Sequence, residues 1–163
     1  MKKYELTDDT ITVGGRTLHR IKALKGFSNV EEGDLGGYVE KEDNLDHSGE
    51  AWVSGNARVY GDAWVYGNAR VYGNARVYGD AWVSGDARVS GENDYAAAKG
   101  FGREYRTTTF FRLQDGGIGV RCGCFCGTLE EFREKVKETH KESKMGKEYL
   151  MLADLMEYKF KNA

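Results

Sequence analysis

The stretch from Gly49 to Ser90 writes one six-residue phrase, Gly-[Asn/Asp/Glu]-Ala-[Arg/Trp]-Val-[Tyr/Ser], seven times without a break. It runs GEAWVS, GNARVY, GDAWVY, GNARVY, GNARVY, GDAWVS and GDARVS, so Ala and Val return every six residues. A period this strict means that each phrase is one structural unit stacked on its neighbours. Side-chain direction alternates along a strand, so Ala and the Val two residues later point to the same side of a short extended segment. The Gly-Asn or Gly-Asp that follows tolerates positive φ and turns the chain through a corner. Short strands separated by corners wind into a solenoid. Each strand then pairs with the one a full coil later at about 4.8 Å, and the Ala and Val columns stack into a narrow core that no single repeat could bury.

A hexad with a β-branched residue and a small residue two before it resembles the left-handed parallel β-helix of the hexapeptide-repeat family. In that family three hexads make one triangular coil, which implies that equivalent residues recur every eighteen positions. The implied register stacks Trp64 and Trp82 on one face with Tyr66. It stacks Arg58 and Arg76 on a second with Tyr60 and Tyr78, and Trp52, Arg70 and Arg88 on the third with Tyr72. The phrasing GNARVYGDAWVYG, led in by GDLGGYVEKEDNL, is similar to short hexapeptide-repeat proteins encoded by bacteriophages and mobile elements.

Outside the repeat, residues 1–48 read as a hairpin and cap. Tyr4, Leu6, Ile11 and Val13 sit in alternating runs, Gly14-Gly15 is a turn signal, and Thr17–Leu24 resumes the strand pattern. A solenoid needs its ends covered, because its terminal coils otherwise show unpaired strand edges. Val39 and Leu45 lie at multiples of six before Ala51, which places an irregular first coil near Gly37. His47 falls in the Val column at the mouth of the solenoid and reads as a capping residue.

Residues 49–94 are the solenoid and 95–163 a C-terminal α+β unit. Its first segment, YAAAKGFGREYR, reads as a basic, aromatic linker that could clamp a phosphate or simply pack its aromatics on the solenoid end. A hairpin is expected from Thr107 to Phe125, turning at Asp115-Gly116-Gly117. Thr128 and Glu131 form a capping box that starts a helix through about His140. Gly146 is expected to interrupt before a second amphipathic helix containing Tyr149, Leu152, Leu155, Met156 and Phe160. The fold class expected is therefore mainly β: a short left-handed parallel β-helix, an N-terminal hairpin cap, and a C-terminal hairpin plus two helices.

For function, 24 basic against 26 acidic residues give net −2, which removes a nucleic-acid binder working through a global basic field. The start MKKYELTDDT has no apolar run behind its lysines, and no stretch approaches eighteen apolar residues, so a soluble cytoplasmic protein is expected. The three cysteines, Cys122, Cys124 and Cys126, alternate on what reads as one strand, and core packing is the favoured role over a metal site. No cofactor is expected.

Members of the resembled family include acetyl-CoA-dependent acyltransferases with a histidine general base, which makes that activity the alternative reading. Here the hexads hold no histidine; His19, His47 and His140 lie in other segments. The favoured reading is a non-enzymatic binding protein that sequesters or blocks an anionic small ligand, such as a nucleotide, or a host protein. Arg58, Arg76, Tyr60, Tyr78, Arg70, Arg88, Lys99, Arg103 and Arg106 are its candidate binding residues, and Trp52, Trp64 and Trp82 its candidate contacts in a homotrimer or other homo-oligomer.

Overall fold

The computed structural model describes residues 2–161. Two antiparallel strands, β1 (Tyr4–Val13) and β2 (Arg16–Ala23), meet at the Gly14-Gly15 turn, where both glycines take positive φ. β2 also pairs antiparallel with β3 (Leu35–Val39), which pairs parallel with the second strand of the repeat. The hairpin is thus continuous with one face of the solenoid and covers its first coil.

Each hexad contributes one two-residue strand: β4 (Trp52–Val53), β5 (Arg58–Val59), β6 (Trp64–Val65), β7 (Arg70–Val71), β8 (Arg76–Val77), β9 (Trp82–Val83) and β10 (Arg88–Val89). The pairings are parallel and eighteen residues apart, with Trp52 beside Arg70, Arg70 beside Arg88, Arg58 beside Arg76 and Trp64 beside Trp82. Three faces result. The lead-in coil is two residues longer, since Tyr38 pairs with Arg58 and Leu45 with Val65, and the 3-10 turn Glu42–Asn44 lies within it.

Backbone N–H groups donate one coil onward, as from Trp52 to the Ala69 carbonyl (3.1 Å) and from Ser54 to that of Val71 (2.9 Å). Inside, every repeat Ala and Val is buried, and the stack forms one core with Tyr4, Ile21, Leu45 and Phe111. The corners need glycine for two reasons. Gly49 sits at φ +72°, and a Cβ there would stand 2.7 Å from the Gly67 carbonyl oxygen one coil on.

Both ends are covered. At the first coil, buried Lys3 donates through Nζ to the Ala51 carbonyl (2.7 Å), and Asn44 Nδ2 donates to the carbonyls of Ala63 (2.8 Å) and Gly61 (3.1 Å). His47 caps here too: its ring stacks on Tyr4 (4.2 Å) and its Nδ1 accepts the Lys3 N–H (3.1 Å). Burial holds the His47 pKa below its ordinary value.

At the far end the expected hairpin forms, pairing Thr108 with Cys122 and Arg112 with Ile118, and the structure extends it on both sides. Residues read as a linker form strand β11 (Tyr95–Phe101), and the chain continues through β12 (Arg106–Arg112), β13 (Ile118–Cys122) and β14 (Phe125–Thr128) into one four-stranded antiparallel sheet. An edge residue such as Tyr95 gains ladder partners only when distant strands fold back, which local composition does not encode. Here Tyr95 pairs with Phe111, the Trp82 N–H donates to Thr109 Oγ1 (3.1 Å), and Ala87 bridges to Leu113.

The cysteines are likewise corrected. A turn at Gly123 (φ +58°) splits the expected single strand, leaving Cys122 in β13, Cys124 exposed at the turn and Cys126 in β14. Helix α1 (Leu129–His140) starts at the Thr128–Glu131 capping box as expected. Gly146 does not break the chain; it lies buried in the first turn of α2 (Lys144–Lys161), and the break falls at Lys141, where φ is +50°. Both helices pack on the sheet around Phe110, Phe132, Tyr149 and Phe160. Among the described residues no helix is long and apolar enough to cross a membrane.

Candidate functional site

Strand alternation turns the Arg/Trp and Tyr/Ser positions outward whenever Ala and Val point inward. On one face Arg58 stands in register with Arg76, and the rings of Tyr60 and Tyr78 stack at 5.4 Å and 9°. Tyr95 closes the ladder, its hydroxyl accepting the Tyr78 N–H (3.4 Å). Burial pushes the Tyr95 phenol up to about 12.

On a second face Arg70 stands in register with Arg88. Arg88 donates to the carbonyls of Ala87 (2.8 Å) and Asn68 (3.1 Å) and to Gln114 Oε1 (3.3 Å). Arg70 is partly buried, and its pKa is lowered, first by that burial and then by the Arg88 guanidinium. A cleft of about 640 Å³ opens beside the pair, lined by Arg70, Tyr72 and Arg88, by Ser28 and Asp34 of the loop before β3, and by Leu35 at the start of β3.

The third face carries Trp64 edge-on to Trp82 (5.2 Å) and stacked on Tyr66 (3.9 Å). Arg121 from β13 places its guanidinium 5.2 Å from the Trp82 ring and 5.7 Å from that of Tyr66, so the C-terminal sheet covers part of this face. The candidate subunit contacts accordingly differ. Trp52 is only 4% exposed, edge-on to Phe27 (5.3 Å) and Tyr4 (6.4 Å), and fills the N-terminal cap instead of facing outward. Trp64 is half-buried, and Trp82 keeps 36% of its surface. Trp52 was expected outward because its hexad position matches theirs; the N-terminal segment that covers it, with Tyr4 and Phe27, lies tens of residues earlier in the sequence.

Lys99 and Arg106 meet Trp82 and Arg121 in a cleft of about 550 Å³ between the solenoid and the C-terminal sheet. Their charges are answered there, Lys99 by Asp80 (3.0 Å) and Arg106 by Glu104. Arg103 lies on the exposed turn between β11 and β12. Sequence reasoning missed Arg121 and the wall around Leu35, since neither carries a local signal and both reach their places only through tertiary packing.

The corner aspartates do not neutralise the arginine ladders. Asp62 takes Lys41 (3.2 Å) and Asp80 takes Lys99. Among the described residues, Arg58, Arg70, Arg76 and Arg88 have no carboxylate partner, and neither do Arg103 and Arg121, whereas Arg16, Arg20, Arg106 and Arg112 each have one and Arg133 has two.

A family model for the YdcK β-solenoid repeat matches residues 51–67 and 69–85, so the repeat is similar to that solenoid over those segments. No curated protein matches the chain.

Proposed function

We propose that this β-solenoid chain is a non-enzymatic binding protein that holds an anionic partner on the arginine faces of its repeat. The observation that carries the reading is the pair of in-register arginine ladders without carboxylate partners. Like charges about 5 Å apart in adjacent strands repel one another, and a fold that repeats them in register gains when an anion sits between them. Guanidinium beside stacked phenol is also the surface chemistry enriched at interface anchors. The same reading takes the coils as left-handed and the chain as a phage- or mobile-element-encoded homo-oligomer that sequesters its partner in the host cytoplasm.

The test is titration calorimetry with a short linear polyphosphate as probe. The wild-type chain is expected to show saturable binding that weakens with added salt. The paired variants Arg58→Ala/Arg76→Ala and Arg70→Ala/Arg88→Ala should each weaken it. Equal binding by all three proteins would refute the arginine faces as the site.

A further inference from the structure

The two ladders differ in their surroundings. On one ladder Arg76 is exposed and Arg58 half-buried. Arg70 and Arg88 line the open 640 Å³ cleft, a volume within the range of small-ligand sites. Arg88 is held by the Asn68 and Ala87 carbonyls and by Gln114, so its position is set before any ligand arrives. The Arg70 side chain has no hydrogen-bond or ion-pair partner among the described residues, and its planar fork is free to take two oxygens of one anion. The nearby acid Glu50 favours its charge but does not bond to it.

The rest of the cleft is chemically different. Tyr72 keeps 39% and Leu35 60% of their surface, which gives a flat aromatic face and an apolar edge beside the guanidinium groups. In the same cleft the Asp34 carboxylate is fixed by the Glu31 N–H on Oδ2 (2.9 Å), a pre-positioned acceptor for a ligand hydroxyl or amino group. A bare inorganic anion would use the arginines alone and leave the aromatic, the apolar edge and the acceptor idle.

We infer that the Arg70–Arg88 cleft is a binding site for one small organic phosphate of mononucleotide size. Its phosphate sits on the two guanidinium groups, its flat portion on Tyr72, and its donors face Asp34. This inference rests on the reading of the arginine faces as anion sites and narrows it to one face and one ligand class.

Calorimetry with inorganic phosphate, adenosine monophosphate and adenosine tests it, with the polyphosphate probe run in parallel. The wild type should bind adenosine monophosphate more tightly than phosphate and adenosine weakest. Arg70→Ala should weaken the nucleotide by about tenfold or more, Tyr72→Ala should weaken the nucleotide but not phosphate, and Arg58→Ala/Arg76→Ala, which weakens polyphosphate, should lower nucleotide affinity far less than Arg70→Ala does. Arg70→Lys keeps the charge and loses the fork, so it should fall between wild type and Arg70→Ala and serves if the alanine variant fails to fold. Polyphosphate binding without nucleotide binding would overturn this inference and leave the broader reading standing. Nucleotide binding lost in the Arg58/Arg76 variant but kept in both Arg70 variants would place the site on the wrong face. Absence of binding by every probe would remove both.

Discussion

Lys3 enters the core as an ammonium group without a carboxylate partner. Its Nζ instead donates to the Ala51 and Gly49 carbonyls, and Phe27 presents its ring at 4.9 Å. Those carbonyls belong to the first regular coil, where no preceding strand donates N–H groups to them, so a long side chain does the work of a missing strand. The cost is electrostatic. Burial, the largest cause, lowers the Lys3 pKa to about 8, while Asp46 opposes the shift. The folded chain therefore releases this proton before the unfolded chain does, and stability should rise with pH from about 8 toward the ordinary lysine value, by on the order of 3 kcal/mol if Lys3 acted alone. Burial raises the Tyr4 and Tyr95 phenols, so above about pH 10 the unfolded state loses protons that the folded state keeps and the trend reverses. Denaturant midpoints measured between pH 7 and 11 should show this maximum. In Lys3→Met the rising limb should vanish, and its persistence would assign the effect to another group.

At the scale of elements, the helices show how a local rule meets its neighbours. The Thr128 box works as local chemistry predicts, with Thr128 Oγ1 accepting the Glu131 N–H (3.2 Å) and Glu131 Oε1 accepting the Thr128 N–H (2.9 Å). Gly146 in α2 does not follow helix propensity. Replacing an interior helical glycine with alanine ordinarily stabilises by about 1 kcal/mol. Here an added Cβ would stand 2.9 Å from the Lys141 carbonyl oxygen and 3.0 Å from His140 Cβ, because α1 turns into α2 through Lys141 at that spot. Gly146→Ala should therefore lower the melting temperature, and a rise would mean that the α1–α2 turn yields without cost. The glycine marks a close approach between helices and not a boundary.

For the whole molecule, the central question is what stops the solenoid from growing. Every inner coil satisfies its N–H groups on the next coil's carbonyls, and the last has no such successor. The C-terminal sheet takes that place: Tyr95 accepts the Tyr78 N–H, Thr109 that of Trp82, and the Gln114 N–H donates to the Asp86 carbonyl (2.9 Å). Asp94 adds a hinge point, bonded to Ser90 on the solenoid side and to Arg112 (2.9 Å) on the sheet side. A chain ending after Asp94 should keep its coils but expose three unpaired strand edges and the face of Trp82. Sedimentation should then show it forming larger, concentration-dependent species that the full chain does not form at the same concentration. A truncated chain with the same association state as the full chain would show that the sheet is not the cap that ends the solenoid.

The repeat by itself determined the solenoid and its inward Ala and Val columns, because a six-residue period leaves one side-chain assignment per position and the corner glycines leave one place to turn; which outward residues share a ladder followed only from the eighteen-residue coil that the family resemblance implies. Gly14-Gly15 and the Thr128–Glu131 box were legible for the same reason: each is a contact between residues close in sequence. What the hexads could not carry is which faces stay open. Trp52 and Trp82 occupy the same place in their phrases, yet one is buried beneath a hairpin containing Tyr4 and the other lies beside Arg121 of β13. Arg70 lines a cleft because the segment at Ser28–Leu35 folds beside its face. Those outcomes depend on contacts between segments tens of residues apart, where the geometry of packing, and no local periodicity, decides which identical side chain is core and which is surface.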